Sequence, residues 1–150
     1  DNNPQAIETM KTRFQSVKNG LELINEPGLI GIHDGVRPLV SKETLSRVFS
    51  KAEKDGNAIP AILINESMRK IEADSSEPVN REYYRLIQTP QCFHSDIIRR
   101  AYEQEYREEF TDDASVVEAM GIKINLVEGN PENIKITRPV DLKIAEALLR

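Results

Sequence analysis

Leu29-Ile30-Gly31-Ile32-His33-Asp34-Gly35-Val36-Arg37-Pro38 is the stretch on which the reading of the fold turns. Its first four residues form a short apolar run, as expected of a buried strand. An acid, a glycine and an arginine follow where that strand would end. In open α/β sheets, ligands bind beside the carboxyl ends of the strands. There Asp34 can face a cation or a sugar hydroxyl, and Gly35 lets a ligand approach the backbone closely. Taken alone, a strand-end Asp is also an ordinary turn former.

The flanking sequence alternates helical and extended patterns. Thr12 to Ile24 is predicted helical, with Phe14, Val17, Leu21 and Ile24 at helical spacing, Thr12 as a cap and Glu26-Pro27-Gly28 as the stop. Ser41 is placed to cap a second helix carrying Leu45, Val48, Phe49 and Ala52, which ends near Gly56. Ala58 to Ile64 reads as another buried strand, against which Pro60 argues. Residues 65–87 are polar, and Ala73-Asp74-Ser75-Ser76-Glu77-Pro78 has turn composition. They form either a hairpin projecting from the domain or a disordered loop. Leu86 to Phe93 reads as strand then loop. Ser95 opens a helix through about Glu108, and Thr111-Asp112-Asp113 starts another that Gly121 ends, with Thr111 as its cap. Ile122 to Val127 is a strand by alternation, and Ile134-Lys135-Ile136 is extended. Thr137 caps the last helix, with Pro139 in its first turn and Leu142, Ala145, Leu148 and Leu149 as its apolar face. Strands alternating with helices predict an α/β layered fold with a mostly parallel sheet.

At 150 residues the chain fits one domain with a real core. A net charge of −5 argues against broad nucleic-acid binding, yet a local basic cluster could hold a phosphorylated small molecule. The single Cys92 excludes an internal disulfide and suits a reducing, cytoplasmic setting. No apolar run reaches membrane-spanning length, and no signal-peptide pattern is visible from Asp1. The chain begins without Met and reads as a fragment. His33 and His94 have no metal-ligand spacing with Cys92 and read as structural. Asp112-Asp113 reads as helix-dipole pairing rather than a metal pair, and Cys92 as a small buried residue rather than a nucleophile.

Four segments carry a resemblance when taken in order: His33 to Pro38, Gln88-Thr89-Pro90-Gln91-Cys92-Phe93, Thr111-Asp112-Asp113-Ala114-Ser115, and Asn133-Ile134-Lys135-Ile136-Thr137-Arg138-Pro139-Val140-Asp141-Leu142. With Arg13-Phe14-Gln15-Ser16-Val17, they resemble the 2-C-methyl-D-erythritol 4-phosphate cytidylyltransferase family over roughly Thr12 to the end. The resemblance implies a Rossmann-like nucleotidyltransferase that transfers CMP from CTP to the acceptor phosphate, with Mg²⁺, and releases pyrophosphate in the non-mevalonate isoprenoid pathway. It also implies a homodimer in which a β-arm from each subunit, here 65–87, reaches the other's site. The family's glycine-rich loop with its arginine and lysine has no counterpart in Asp1 to Met10, and Met10-Lys11 reads like a junction. The chain, a single domain incomplete at its N-terminus, is therefore expected to hold part of an active site and to show little or no catalysis alone.

Nucleotidyl transfer between two anionic phosphates needs charge neutralisation more than covalent chemistry. By resemblance, Asp34 stands beside the CTP ribose and metal-bound phosphates, and is the one candidate metal ligand. Gly35 presents backbone to the nucleotide, and Ser16 is a CTP contact. Lys135 and Arg81 are the catalytic candidates, both gripping substrate phosphate, with Arg81 acting from the arm across the dimer. Ser67 on the outgoing limb, Thr89 and Thr111 are the matched substrate-binding hydroxyls. Without the resemblance, Lys135, Arg81 and Ser67 read as solvent-facing, Thr111 as a cap, and Arg37 as a structural partner for an acid. A pentitol-phosphate cytidylyltransferase, such as one acting on ribitol 5-phosphate, is the rival enzyme. Asp112 to Glu118 looks more like the first family. A non-catalytic binding or assembly module that kept the fold is the alternative of a different class.

Overall fold

In the computed structural model, which describes residues 13–149, the 29–32 run forms β1 (Leu29–Ile32) as expected. It follows α1 (Arg13–Glu22), whose buried Phe14 and Leu21 match the expected spacing. The expected Thr12 cap and the Met10-Lys11 junction lie outside the described residues. Helix α2 (Lys42–Asp55) has both expected ends. The Ser41 hydroxyl accepts the Thr44 N–H at 3.0 Å, and Gly56, at φ 87°, closes the helix in a conformation that favours glycine.

Strand β2 (Asn57–Leu63) is the hub of the sheet. The chain leaves it into a separate hairpin of β3 (Met68–Glu72) and β4 (Ser75–Val79), paired from Met68↔Val79 to Glu72↔Ser75. It returns through a 3₁₀ turn at Arg81–Tyr83 into β5 (Arg85–Ile87) and β6 (Gln91–His94). Of the two alternatives for residues 65–87, the structure has the hairpin.

The α/β layering is as expected, but the sheet is mixed. Strand β6 runs antiparallel to both β1 and β2, β5 runs antiparallel to β2, and β7 (Leu126–Glu128) runs parallel to β2. Strands β1, β2 and β7 thus share one direction. The physical reason is the hairpin. A chain that turns back without a crossover helix can only lie antiparallel to the strand it left. Pro60 is tolerated because it falls between the β2–β6 ladder, ending at Ala58↔Cys92, and the β2–β5 ladder, starting at Ala61↔Ile87.

Alternation along β2 and β6 sorts the core into two layers. Ala58 and Cys92 pack with Val48 and Ala52 of α2. Ile59 and Phe93 face the other side, against Phe14, the α3 (Ser95–Tyr102) residues Ile98 and Ala101, and the α4 (Asp113–Glu118) residues Val116 and Val117. Each such large apolar side chain contributes about 2 kcal/mol through burial.

Three helix boundaries and two extended segments differ from expectation. Helix α3 stops at Tyr102, where the Gln104 amide donates to the Ala101 and Val116 carbonyls and closes the end. Helix α4 is capped by Asp112 rather than Thr111, with a reciprocal Asp112–Ser115 capping box. Helix α5 (Pro139–Leu148) has Arg138 as its cap residue, because the Asp141 carboxylate takes the Thr137 and Arg138 N–H groups. Of its expected apolar face only Ala145 is buried, while Leu142, Leu148 and Leu149 are exposed. The expected 122–127 strand is shorter because Asn125 bonds the Asn57 side chain, so pairing as β7 begins at Leu126. Residues 134–136 form no strand, although the Ile136 N–H donates to the Val36 carbonyl.

Candidate functional site

Asp34 sits just past the carboxyl end of β1, at the mouth of a cleft of about 300 Å³ lined by Arg13, Arg37, Thr89, Gln91, Thr111, Asp112 and Lys135 among others. Three cationic side chains converge on its carboxylate: Arg37 Nε at 3.3 Å, Lys135 Nζ at 3.4 Å and Arg13 Nε at 3.6 Å. Burial pushes the Asp34 carboxyl up. The charges of Lys135 and Arg13, with hydrogen bonds from Lys135 and Arg37, overcome that and hold it below its ordinary value. The acid is therefore ionised at neutral pH. Asp112 also lines the cleft, and Arg13 is paired in addition with the buried Asp113, so Arg37 and Lys135 are the cations set against Asp34 without a second carboxylate partner in these contacts.

The loop around Asp34 is held by its neighbours. The Thr89 hydroxyl accepts the Asp34 N–H at 3.0 Å and lies 2.9 Å from His33 Nδ1. His33 Nε2 lies 2.9 Å from the Arg37 carbonyl, so the imidazole bridges Thr89 and the far end of the loop. Arg37 also donates to the Asn133 carbonyl at 2.7 Å, tying the β1 loop to the segment that carries Lys135. That segment is anchored by a buried polar network. The Gln88 amide and Asn130 backbone bond each other, and Asn130 Oδ1 accepts from Ser41 N–H and the Thr44 hydroxyl. Gly129 fits here only because it lacks a side chain, since a Cβ would fall 2.2 Å from Gln88 Oε1.

Of the expected residues, Asp34, Thr89, Thr111 and Lys135 come together in this cleft. Thr89 is buried and already engaged by Asp34 and His33, so its first role is to shape the loop. Thr111 keeps a place on the rim, since Asp112 takes the capping role and is itself fixed by Gln91 at 2.8 Å. Gly35 is exposed, and a Cβ there would meet open space, so neither crowding nor backbone conformation demands glycine at that turn. Ser16 is exposed on α1, outside the cleft lining. Arg81 and Ser67 flank the hairpin, exposed and away from this chain's own cleft, with Arg81 donating to the Asn65 carbonyl. Cys92 is fully buried, and burial pushes its thiol up to about 11 against a weaker opposing hydrogen bond from the Phe93 backbone, which suits a packing role.

Sequence reasoning underrated Arg13, whose guanidinium lines the cleft and bonds Asp113 at 2.8 and 2.5 Å. It quoted Gln88 and Gln91 only as members of a motif, and gave no role to them or to Asn130. Their signal was weak, because a polar side chain in a loop reads as solvated until its partners are known. Among the described residues no group of three or more His, Cys, Asp or Glu side chains could hold a metal ion, and no helix is long and apolar enough to cross a membrane.

Comparison with known proteins bears on the chain as a whole. The family described as "IspD: 2-C-methyl-D-erythritol 4-phosphate cytidylyltransferase" matches residues 2–150. A 2-C-methyl-D-erythritol 4-phosphate cytidylyltransferase of Bacteroides fragilis is 58% identical over 139 residues, and one of Bacteroides thetaiotaomicron 53%; each alignment covers 93% of this chain. The chain spans 64% of the length of both curated relatives. The crystal structure of the Thermus thermophilus protein of that name superposes with a TM-score of 0.82 at 38% identity, covering 93% of this chain and 70% of that one.

Proposed function

We propose, since the chain belongs to the 2-C-methyl-D-erythritol 4-phosphate cytidylyltransferase family, that it carries part of a cytidylyltransferase site. The reaction is CMP transfer from CTP to 2-C-methyl-D-erythritol 4-phosphate in the non-mevalonate isoprenoid pathway. The observation that supports this most is the convergence of Arg13, Arg37 and Lys135 on the single carboxylate of Asp34. Both reactants are polyanions, and a fixed set of cations lowers the cost of bringing them together.

In this reading an oxygen of the acceptor phosphate attacks the α-phosphorus of CTP. A new P–O bond forms there as the bond to the bridging α–β oxygen breaks, and pyrophosphate leaves with that electron pair. Lys135 holds the acceptor phosphate, Asp34 orients the cations and faces the ribose, and the Gly35 backbone and Ser16 contact the nucleotide. Thr111 addresses acceptor oxygens from the rim, while Thr89, buried in the cleft wall, holds the Asp34 loop in place for them. A Mg²⁺ ion, as the resemblance implies, would be held chiefly by the phosphate oxygens of the substrates and by water, with Asp34 the candidate carboxylate on the protein side. When bound, it would neutralise charge on the triphosphate.

The homodimer belongs to the same proposal. Arg81 and Ser67 would act in the partner's cleft, with the hairpin as the arm that delivers them. The exposed Leu63, Ile71, Tyr83 and Leu86 around that arm support a partner surface. A cytoplasmic setting accords with the free Cys92.

The test is pyrophosphate release by the full-length protein with CTP and either 2-C-methyl-D-erythritol 4-phosphate or ribitol 5-phosphate. Faster release with the first acceptor is expected. Preference for ribitol 5-phosphate would replace the reading with its rival, and release with neither would point to a binding module.

A further inference from the structure

Asp113 is fully buried, yet its carboxylate accepts three strong hydrogen bonds. Two come from Arg13, through Nη1 at 2.8 Å and Nη2 at 2.5 Å, and one from the Tyr102 hydroxyl at 2.6 Å. Tyr102 is itself 2% exposed, and its ring stacks on Phe14 with centroids 4.6 Å apart. One carboxylate thus fastens the starts of α1 and α4 to the end of α3. No ligand can touch Asp113. Its cation is different, for the Arg13 side chain is 35% exposed and lines the cleft beside Asp34, Thr111 and Lys135.

The fork geometry gives this pairing a consequence. A guanidinium bonds a carboxylate best through two parallel N–H groups. Asp113 takes one N–H from each Nη of Arg13, and Nε, 3.6 Å from Asp34 Oδ1, is left as its link to the cleft acid. Freed from Asp113, the same guanidinium could turn and take Asp34 bidentately. That would draw the Asp34 carboxylate away from Lys135 and Arg37, which hold it at 3.4 and 3.3 Å. A buried ion pair is weak evidence for stability as such, and its best-supported use is to specify one arrangement over others.

We propose that Asp113 and Tyr102 are positioning residues. Tyr102 orients the buried carboxylate, and the carboxylate holds Arg13 with a fixed edge toward the cleft, where it meets phosphate oxygens instead of collapsing onto Asp34. The identity of the ligand as CTP rests on the cytidylyltransferase reading, whereas the placement of Arg13 does not.

The experiment uses the full-length protein and its Asp113→Asn, Asp113→Glu, Tyr102→Phe, Arg13→Met and Arg13→Met/Asp113→Asn variants. Binding of CTP and of inorganic pyrophosphate is measured by calorimetry, and CMP transfer by steady-state kinetics. Asp113→Asn is expected to raise the Kd and KM for CTP roughly tenfold or more, the scale of a lost charge-assisted contact. Tyr102→Phe should give a smaller rise, and Asp113→Glu should recover part of the loss. The decisive result is non-additivity, with the double variant binding no more weakly than Arg13→Met alone. A structural role alone would instead lower the folded fraction and leave the Kd of the folded protein unchanged. Unchanged CTP affinity in Tyr102→Phe and Asp113→Asn, or losses that add to that of Arg13→Met, would overturn the inference. Should Asp113→Asn not fold, Tyr102→Phe, which removes one oxygen and keeps the stacked ring, decides. Parent protein that binds CTP but transfers no CMP overturns the proposed reaction, and the binding arm still rules on Asp113. Parent protein that binds neither CTP nor pyrophosphate overturns the inference itself.

Discussion

Lys135→Met separates the contact the Lys135 ammonium makes in the fold from the phosphate-holding role proposed for it. In the fold it pairs with Asp34 at 3.4 Å, and its side chain is 48% exposed. Two unit charges at that distance attract by about 1 kcal/mol in a water-like dielectric and by about 5 kcal/mol at an effective dielectric of 20. Half-exposure and salt place the pair near the lower figure, so losing it should destabilise the protein by about 1 kcal/mol at most. The remaining cations, Arg13 and Arg37, keep Asp34 partnered. A bound phosphate is a different matter. A hydrogen bond to a charged group contributes about 1.5–3 kcal/mol, which corresponds to a roughly 10- to 150-fold loss of transfer.

The assay is paired. Urea unfolding of the full-length protein and its variant gives the stability change, and pyrophosphate release from CTP and 2-C-methyl-D-erythritol 4-phosphate gives kcat/KM. A large fall in kcat/KM with a small change in urea midpoint is expected. The reasoning is refuted if transfer stays within about threefold of the parent. It is refuted equally if the variant loses about 3 kcal/mol or more of stability, because Lys135 would then be a structural residue.

Asp112→Ala should cost about 1–2 kcal/mol in urea unfolding, since it removes both the α4 cap and the partner of Gln91; a loss under about 0.5 kcal/mol would mean the capping box is not formed. Asp141 is held at about 2 by hydrogen bonds from the Thr137 and Arg138 backbones. Its stabilising contribution is therefore complete above the ordinary carboxylate value near 3.8 and lost as pH falls through about 2. Comparing acid unfolding of the parent and Asp141→Asn should show the two curves converging across that window, and a constant separation would contradict the assignment. Deleting residues 66–85 should shift sedimentation from dimer toward monomer while keeping the circular dichroism of the sheet and helices, and an unchanged dimer would remove the arm from the interface.

What could be read in the sequence were features whose cause is local. The β1 run and its terminal acid, the Ser41 and Gly56 ends of α2, and the turn composition that became the β3–β4 hairpin each depend on a few adjacent residues. The direction of the sheet was not local. It followed from the hairpin's return, and no residue of Leu86 to Phe93 records which way its strand must run. Thr89 shows the same limit within the site. As a hydroxyl in a matched motif it read as a substrate contact, yet a partner 55 residues away, the Asp34 N–H, already uses it. Asp112 and Ser115 carried a legible capping spacing, but the neighbouring Thr111 offered a competing cap.

Arg13 is the sharpest case, because its importance lies in a side chain that sequence reasoning assigned elsewhere. Asp113 at the start of a helix has a sufficient local explanation in the helix dipole, and nothing in its neighbours announces complete burial. Burial changes the argument. An ionised carboxylate removed from water must find matching donors, and the donors that it finds are Tyr102 and the two Nη groups of Arg13, 100 residues earlier in the chain. Once that demand is met, the direction in which Arg13 faces the cleft is fixed. The long-range part of the site is thus set by where a charge is buried, a quantity that composition and spacing do not carry.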